Sequence, residues 1–339
     1  MKERNAGLDV LRLVSMMLVV QHHILTHGGL GAAAIGTQSH FLVCLLEAVS
    51  ACAVNCFALL SGFVSSGAAK KPFSRGAWLW LSAASWSVLL TAVFGEKGAE
   101  MLPALKRALT PVISQQYWYF TAFFPLLVLS PLLERVAESA GRELFSAVVA
   151  CFFIFCLLPA YAETDLFGTG NGYYTLWLLV LYLAGAALYR SSAFSRIPAA
   201  LWLLSFALFC LMTAGLKARA DMPGMEYTAP LRYTAPLTVL ASVSITLFFA
   251  NLPITKKAGG VLSRISPAAF GVYLIHDHSA VRARFFEGRF ASLAELQPWS
   301  LLLRLFGYVL VVFFICLALE SLRILLFRVL RIPELLRKA

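Results

Sequence analysis

Runs of about 18–25 mostly apolar residues, separated by short stretches that carry the charges, recur along the chain. A helix needs about 20 such residues to cross the hydrocarbon core of a bilayer, because its backbone rises about 1.5 Å per residue. Hydrophobic residues make up 60% of the chain and charged residues 13%, against about 45–50% and about 25% in average soluble domains. One water-soluble globule cannot bury this excess, so the sequence predicts an integral membrane protein.

The spacing of the runs predicts an all-α fold, a polytopic membrane helix bundle of about ten transmembrane helices. The predicted spans are 8–26, 40–66, 77–94, 116–133, 143–160, 173–189, 197–216, 234–252, 267–281 and 300–322. We predict one membrane domain over residues 1–322 and a short basic cytoplasmic tail over residues 323–339. The tail carries arginines between Leu, Ile and Phe, as a continued or interfacial amphipathic helix does.

The net charge of +11 comes from basic residues that lie singly or in pairs between the apolar runs. No continuous basic stripe with interleaved aromatic residues occurs, so we expect no nucleic-acid partner. Lys and Arg in short loops orient a polytopic membrane protein instead. They are concentrated on the side of the two termini, while the loops 28–39 and 160–172 on the other side contain neither. This bias predicts that both termini are cytoplasmic.

Polar side chains inside the first span mark a candidate site. The segment GLDVLRLVSMMLVVQHHILTHGG contains Asp9, Arg12, His22, His23 and His27. Arg12 and His23 are close to three helical turns apart, so they share one helix face at a separation of about 16 Å. Asp9 lies one turn before Arg12 and can pair with it, whereas His22 points about 100° away. Ionisable groups in a membrane helix usually face a cavity, so this face predicts the wall of a channel.

The same polar face also has structural interpretations. Arg12 can extend its guanidinium to the inner headgroups, and a membrane histidine can be only a satisfied polar group between helices. The first span alone therefore does not decide whether His23 takes part in chemistry.

The second span reads AVNCFALLSGFVSSGAAKKPFSRGAW at its end, with Asn55 at mid-span and a Ser-Gly-Phe tripeptide that begins at Ser61. Lys70, Lys71 and Arg75 follow. Because basic side chains pair well with phosphates, this cluster can hold the nucleotide end of a cofactor at the cytoplasmic face. Positive-inside charges beside a helix-packing Ser-Gly pair explain the same residues. Both interpretations stay open.

Two further spans carry side chains that can bind a ligand or take part in a reaction. Trp118 and Tyr119 open the fourth span, where they fit either an interfacial aromatic belt or a surface that stacks on a sugar or adenine. The ninth span ends in His276, Asp277 and His278. Ligands at positions i and i+2 diverge on a helix, and no HExxH or Cys/His cluster accompanies them, so we expect no metal. A His–Asp pairing with another helix is the better interpretation.

Several motifs together resemble the integral-membrane acyltransferase 3 family, which includes O-acetyltransferases of bacterial surface polysaccharides and cell-wall glycans. The resemblance extends from about Leu8 to Arg284. Its motifs are R-x10-H at Arg12 and His23, Asn55 with Ser61–Phe63, the basic Lys71 and Arg75, Trp118–Phe120 with Pro131, NGYYTLWLLVLYLAGAALYR, and FGVYLIHDH with His276. The last of these is similar to the subgroup of Gram-positive bacteria, and we expect no appended SGNH-type esterase domain.

The resemblance implies an O-acyltransferase of the bacterial plasma membrane. Such an enzyme takes an acyl group, expected to be acetyl, from acyl-coenzyme A and places it on a hydroxyl of a cell-envelope polysaccharide or lipid-linked sugar. His23 is then the catalytic residue, and Arg12 supports the donor or the histidine. His23 can act as a general base or as a transient acyl carrier, and the sequence leaves both open.

The remaining site residues follow from the same resemblance. We expect Ser61, Lys71 and Arg75 to contact the acyl-coenzyme A donor, although KKPFSR is less basic than the arginine pair of many relatives. The expected substrate contacts are Asp9, Asn55, Trp118, Tyr119 and His276. Acyl-coenzyme A, a glycan acceptor and membrane lipids are the expected partners.

Two rival functions use the same polar residues. A transporter of a lipid-linked or small anionic substrate also needs Arg and His around a cavity, but it consumes no thioester. A membrane sensor binds a glycan or peptide without turnover. Release of free thiol from acetyl-coenzyme A separates both rivals from the acyltransferase.

Overall fold

The computed structural model describes residues 4–65, 72–95, 97–223 and 230–338, and all regular secondary structure in them is helical. The α-helices are α1 (Ala6–Leu25), α2 (Leu30–Ala33), α3 (His40–Ser65), α4 (Pro72–Phe94), α5 (Met101–Ala108), α6 (Trp118–Ser139), α7 (Glu143–Phe152), α8 (Leu158–Ala162), α9 (Thr175–Arg190), α10 (Ser192–Ser195), α11 (Ala199–Ala220), α12 (Pro236–Ala250), α13 (Lys256–Ile265), α14 (Ala269–His276), α15 (Ser279–Phe285), α16 (Pro298–Val329) and α17 (Ile332–Lys338). Short 3₁₀ turns lie at Gly98–Glu100, Gly170–Gly172, Ser266–Ala268 and Ala291–Glu295, and a π-helical turn joins α7 to α8 at Phe153–Leu157.

Within the described residues, eight helical runs are long and apolar enough to cross a bilayer. They are α1, α3, α4 from Ser74, α6, α7 with α8, α11, α13 with α14, and α16. The shorter apolar helices α9 and α12 coincide with the other two predicted spans. The prediction of an all-α polytopic membrane bundle is confirmed.

We call the side where α1 begins and α16 ends the terminal face, and the side where α1 ends and α6 begins the distal face. On the distal face, the loop after α1 is joined to the loop after α15 by two backbone hydrogen bonds. The amide of Gly288 donates to the carbonyl of His27 at 3.1 Å, and that of Phe290 to Gly28 at 3.0 Å.

Helix α3 lies at the centre of the bundle and packs against α1, α9, α11 and α12. Two glycines allow its close approach to α9. A side chain at Gly62 would collide with the carbonyl of Tyr182, and one at Gly185 would collide with the carbonyl of Leu59. Small residues at a helix contact allow this approach in membranes, where dispersion rather than water exclusion drives association. The Gly of the Ser-Gly-Phe tripeptide is therefore a helix-packing residue, which is one of the two interpretations that the sequence leaves open.

The ninth span differs from the prediction of 267–281. It begins at Lys256, runs through α13, a 3₁₀ turn and α14, and ends at His276. Its first half, KKAGGVLSRI, carries three cations, so its low hydropathy hid it from a search for apolar runs. His278 then begins the separate helix α15, because its Nδ1 accepts the backbone N–H of Ala280 at 3.2 Å. Asp277 thus lies in the turn between two helices.

The last span is longer than the predicted 300–322, since α16 continues to Val329. Its extension is held inside the bundle by a buried ion pair. The guanidinium of Arg323 donates to the carboxylate of Glu320 at 2.6 and 2.8 Å, and the indole of Trp86 donates to the same carboxylate at 2.7 Å. Arg331 adopts a φ of 55° before the short terminal helix α17.

Candidate active site

A cavity of about 360 Å³ lies among α1, α3, α4, α6 and α14. Arg12, Ser61 and Arg75 border it toward the terminal face, and His23 and Trp118 border it toward the distal face. The wall between them is largely apolar and comes from Met16, Val19, Val54, Phe57, Leu60, Leu79, Phe123 and Phe270. The cavity therefore joins the two members of the Arg-x10-His pattern through an apolar passage.

Arg12 is fixed by hydrogen bonds behind the cavity wall. Its Nη1 donates to Oδ1 of Asp9 at 3.1 Å and to Oγ of Ser266 at 3.2 Å. Asp9 is buried and also accepts two bonds of 2.7 Å from Arg4 and one of 2.6 Å from Ser266. The structure places Asp9, a predicted substrate contact, outside the cavity lining, where it positions the guanidinium of Arg12.

His23 is buried, with 6% of its surface exposed, and its ring borders the cavity. Its Nδ1 lies 3.6 Å from Oδ1 of Asp277, the nearest carboxylate, and has no hydrogen-bond partner among the described residues. The rings of His27 and His276 pack around it, at centroid distances of 5.1 and 5.0 Å. Asp277 therefore faces His23 of another helix, but at 3.6 Å without the hydrogen bond that the predicted His–Asp pairing requires.

Asp277 is itself held by Arg282, whose Nη1 donates to its Oδ1 at 3.0 Å. The hydroxyl of Tyr273 accepts the backbone N–H of Tyr119 at 3.2 Å, and its ring borders the cavity. Tyr273 thus connects the start of α6 to the helix that leads to Asp277.

His276 is buried beside His23 and does not border the cavity. Its Nδ1 donates to the carbonyl of Val272 at 2.6 Å, which requires the proton on Nδ1 and leaves Nε2 as an acceptor. Within the described part of the chain, that Nε2 has no partner. The structure therefore places this predicted substrate contact behind the His23 ring.

His22 lies closer to the site than its helical position predicts. Its ring borders the cavity together with that of His23, and its Nδ1 lies 3.4 Å from Oγ of Ser50. The expectation that His22 points away from the channel is wrong because the cavity is wider than one face of α1. Ser50 and Val54 of α3 form the wall that His22 meets.

Trp118 and Tyr119 border the cavity rather than forming only a lipid-facing belt. The ring of Trp118 is stacked on that of Tyr233, with centroids 5.8 Å apart and an angle of 12° between the planes. Tyr173 packs against Trp118 at 4.5 Å and against Tyr233 at 5.1 Å. These residues form an aromatic cluster, comprising Trp118, Tyr173 and Tyr233, at the distal end of the cavity.

Asn55 is fully buried and lies outside the cavity lining. Its Nδ2 donates to the carbonyl of Tyr233 at 2.8 Å, and its Oδ1 accepts the indole N–H of Trp177 at 3.1 Å. Both ends of the amide are thus used within the protein. The structure places this predicted substrate contact behind Tyr233, whose ring it positions.

The predicted donor-binding residues are only partly described. Ser61 borders the cavity and donates its hydroxyl to the carbonyl of Phe57 at 2.8 Å. Arg75 borders the cavity, and within the described residues no carboxylate forms an ion pair with it. Lys71 lies outside the described residues. Arg12 and Arg75 therefore place two guanidinium groups at the terminal-face end of the cavity.

A family model described as an acyltransferase domain, that of the acyltransferase 3 family, matches residues 5–321, nearly the whole chain. The chain belongs to the acyltransferase 3 family. No match was found among curated proteins or among solved structures. Membership confirms the prediction that this protein is a multi-pass membrane acyltransferase, and it favours that function over a transporter.

Among the described residues of this acyltransferase, two sets of side chains bring ligand atoms within 4.8 Å of one another, as a metal site does. The first is His23, His27 and Asp277, and the second is His40, Cys44 and Asp221. In each set a cation already binds the carboxylate: Arg282 in the first and Lys217 in the second. These cations compete with a metal ion, and the absence of a metal from the reaction stays a prediction.

Sequence reasoning did not assign three of the residues that shape the active site of this acyltransferase. Ser266 binds Arg12, Tyr273 accepts the backbone N–H of Tyr119, and Tyr233 stacks on Trp118. Each lies more than a hundred positions from its partner, so no local spacing connects them. FGVYLIHDH contains Tyr273 and Asp277, and only the fold shows that both lie next to the first span.

Proposed function

We propose that this acyltransferase moves an acetyl group from acetyl-coenzyme A to a hydroxyl of a cell-envelope polysaccharide or lipid-linked sugar, with His23 as the catalytic residue. The observation that supports this most is the single cavity bordered by Arg12 and Arg75 at one end and by His23 at the other. The proposal places the protein in the bacterial plasma membrane with both termini in the cytoplasm.

The donor fits the cavity by charge and by polarity. Coenzyme A carries phosphates at one end and its thioester at the end of a long flexible arm. Arg12 and Arg75 offer charge-assisted hydrogen bonds to the phosphates, and the apolar walls accommodate the arm. Along α1, about 16 Å separate Arg12 from His23. A donor with its phosphates at the terminal face therefore directs its thioester toward His23.

His23 then serves as the general base. Its neutral imidazole accepts the proton of the acceptor hydroxyl while the oxygen attacks the thioester carbonyl. A C–O bond forms, the C–S bond breaks, and the proton passes to the departing sulfur to give free coenzyme A. Asp277 faces Nδ1 and favours the tautomer with its proton there, so that Nε2 is the basic nitrogen.

The acceptor binds at the aromatic cluster of Trp118, Tyr173 and Tyr233. Aromatic rings present flat apolar faces, and a sugar ring presents matching C–H faces between its hydroxyls. Tyr173 is 47% exposed, so the cluster is open to a ligand from the distal side. This position brings a sugar hydroxyl to the His23 end of the cavity, opposite the donor phosphates.

Purified full-length protein in lipid nanodiscs tests the proposal. Acetyl-coenzyme A is supplied with a cell-wall glycan acceptor, and free thiol and acetyl ester are measured together. We expect both products from the native protein and from His22→Gln, and a loss of both of at least about a hundredfold in His23→Gln. Equal product from His23→Gln and the native protein contradicts the proposed role of His23. Acetyl that stays bound to His23 without acceptor indicates an acyl carrier instead of a base.

A further inference from the structure

A second hollow, of about 590 Å³, opens on the distal face beside the active site. Its sides come from the ends of α4 and α5, the segment before α6, and α15. Polar lining groups include Thr91, Arg107, Gln116, His278 and Arg284. We call this hollow the distal groove.

The distal groove is cationic. Arg107 and Arg284 line it, and none of the described residues that line it is acidic. Among the described residues, neither guanidinium forms an ion pair with a carboxylate. Gln116 adds an amide, whose Nε2 donates to Oγ of Ser279 at 3.1 Å. Guanidinium groups with unused donors, flanked by neutral hydrogen-bonding groups, suit a phosphate.

The groove lies beside a short helix with the residue pattern of a membrane-surface helix. Helix α5 forms one side, and its sequence MLPALKRA places Lys106 and Arg107 beside apolar residues. Leu102 is 62% exposed, and Leu109 and Ile113 just beyond the helix are also exposed. A short helix with exposed leucines and adjacent cations lies along a membrane surface. Its arginine is therefore positioned to meet lipid phosphates.

A neighbouring hollow of about 570 Å³ shares Arg284 with the distal groove. Its other lining residues are Phe285, Arg289, Phe290 and Tyr308. Phe285 and Tyr308 are exposed, and Tyr308 belongs to the membrane-spanning α16. Apolar rings below a pair of arginines match a lipid, whose chain contacts the rings while its phosphate contacts the guanidinium groups.

The distal groove ends close to the proposed site of acyl transfer. His278, in its lining, directly follows Asp277, which faces His23. The ring of Tyr117 separates the groove from the first cavity, packing against His278 at 6.2 Å and against Tyr273 at 5.8 Å. A ligand in the groove is therefore separated from the active site by one layer of side chains.

We propose that the distal groove binds the phosphate of a membrane lipid through Arg107 and Arg284. The chain of this lipid lies along Phe285 and Tyr308. This lipid carries the sugar that accepts the acyl group. That assignment rests on the proposed function. A bulk anionic phospholipid offers the same phosphate, so the two sources have to be distinguished.

Binding is measured by native mass spectrometry on full-length protein in detergent. One arm uses a prenyl-phosphate-linked sugar, a second uses phosphatidylglycerol, and a neutral diacylglycerol is the reference. The test variant is Arg107→Gln with Arg284→Gln. The control, Arg219→Gln with Arg264→Gln, removes the same charge from exposed positions outside the groove. We expect the test variant to weaken phosphate-lipid binding about tenfold per guanidinium and the control to leave it unchanged.

The two arms identify the source of the phosphate. Loss of binding for the prenyl-linked sugar supports the proposed carrier site, whereas loss for phosphatidylglycerol alone overturns the carrier assignment and indicates a phospholipid site. Unchanged binding in both arms, or an equal loss for the neutral lipid, overturns the proposal. Thiol release from acetyl-coenzyme A with a water-soluble glycan is measured in parallel. If the native protein and the test variant release thiol equally, unchanged lipid binding in the test variant contradicts only the proposed lipid site in the distal groove. The proposed acyltransferase function is then unaffected.

Discussion

Nδ1 of His23, on the first membrane helix, lies 3.6 Å from Oδ1 of Asp277, in the turn after the ninth span. Nη1 of Arg282 donates to the same oxygen at 3.0 Å. A carboxylate next to one imidazole nitrogen favours the proton on that nitrogen and leaves the other nitrogen basic. The structure thus places an orienting group beside the histidine that the Arg-x10-His pattern indicates.

Asp277→Asn tests this positioning. The amide keeps the size of the side chain but removes the charge that favours one tautomer, so we expect kcat to fall about tenfold to a hundredfold. The KM for acetyl-coenzyme A should stay unchanged, because Asp277 does not border the cavity. Steady-state thiol release gives both constants, with exposed Glu143→Gln as the control.

A merely structural role for Asp277 would not change the pH dependence of kcat. We expect Asp277→Asn to shift the pH profile and Glu143→Gln to leave it in place. Native kcat and an unmoved profile in Asp277→Asn would contradict the positioning role.

Arg75→Gln tests the donor end of the cavity. Arg75 borders the cavity without a carboxylate partner in the described part of the chain, so its charge is available to a phosphate. We expect the KM for acetyl-coenzyme A to rise about tenfold. The KM for S-acetylpantetheine, which lacks the nucleotide phosphates, should not change.

The matched control for Arg75 is Arg264→Gln, an exposed cation of α13 outside the cavity lining. A rise in KM of equal size for both donors would assign Arg75 to a role unconnected with phosphate.

Trp118→Ala tests the aromatic cluster. Removal of the indole takes away the ring that stacks on Tyr233, so we expect the KM for the glycan acceptor to rise about tenfold, since stacking on one ring contributes on the order of 1 kcal/mol. The KM for acetyl-coenzyme A should stay near the native value. The control is Trp80→Ala, whose ring is 37% exposed and outside the cavity lining. Equal acceptor KM values in the two variants would exclude the cluster as the acceptor site.

Gly62→Ala tests the packing of the membrane domain. The added methyl group collides with the carbonyl of Tyr182 on α9, so α3 and α9 must separate. We expect a lower Tm in detergent. Gly215→Ala on α11 is the control, because no atom lies within 4 Å of the added carbon and alanine stabilises a helix interior by about 0.5–1 kcal/mol. A Tm for Gly62→Ala at or above that of the control would refute the close contact.

The acid stability of the protein depends on Asp221, at the distal end of α11. Burial alone would raise the pKa of Asp221, but hydrogen bonds from Lys217 and His40 hold that pKa below its ordinary value of 3.8. A carboxyl group whose folded pKa is lowered stabilises the fold above its unfolded pKa, and this stability is lost as the pH falls through the folded pKa. We therefore expect Tm to fall more steeply below about pH 4 in the native protein than in Asp221→Asn. Parallel curves for the two proteins would show that this cluster does not contribute.

Several parts of the fold follow from the sequence because their causes are local. Apolar run length predicts the eight helical runs that are long enough to cross a bilayer among the described residues. Helical spacing predicts that Asp9 pairs with Arg12. The ninth span was placed too late because Lys256, Lys257 and Arg264 lower the hydropathy of its first half. Those cations are tolerated at the terminal face, where a membrane helix meets water.

The site could be predicted less completely, since its contacts join distant parts of the chain. Arg12 and His23 lie on one helix, and the number of residues per helical turn predicts that they share one face of it. The partners Ser266 and Asp277 come from the ninth span, and only packing brings them to α1. Asn55 was expected to contact substrate, but a buried amide in a membrane helix satisfies its hydrogen bonds within the protein, here with Tyr233 and Trp177.

The most direct test of the central claim is the ester content of envelope glycans in cells that carry the native protein, His23→Gln or His22→Gln in a background without the native gene. Expression of each variant in the membrane is checked by immunoblot. We predict that the native protein and His22→Gln restore O-acetyl esters and that His23→Gln does not. Full restoration by a well-expressed His23→Gln variant would contradict the account.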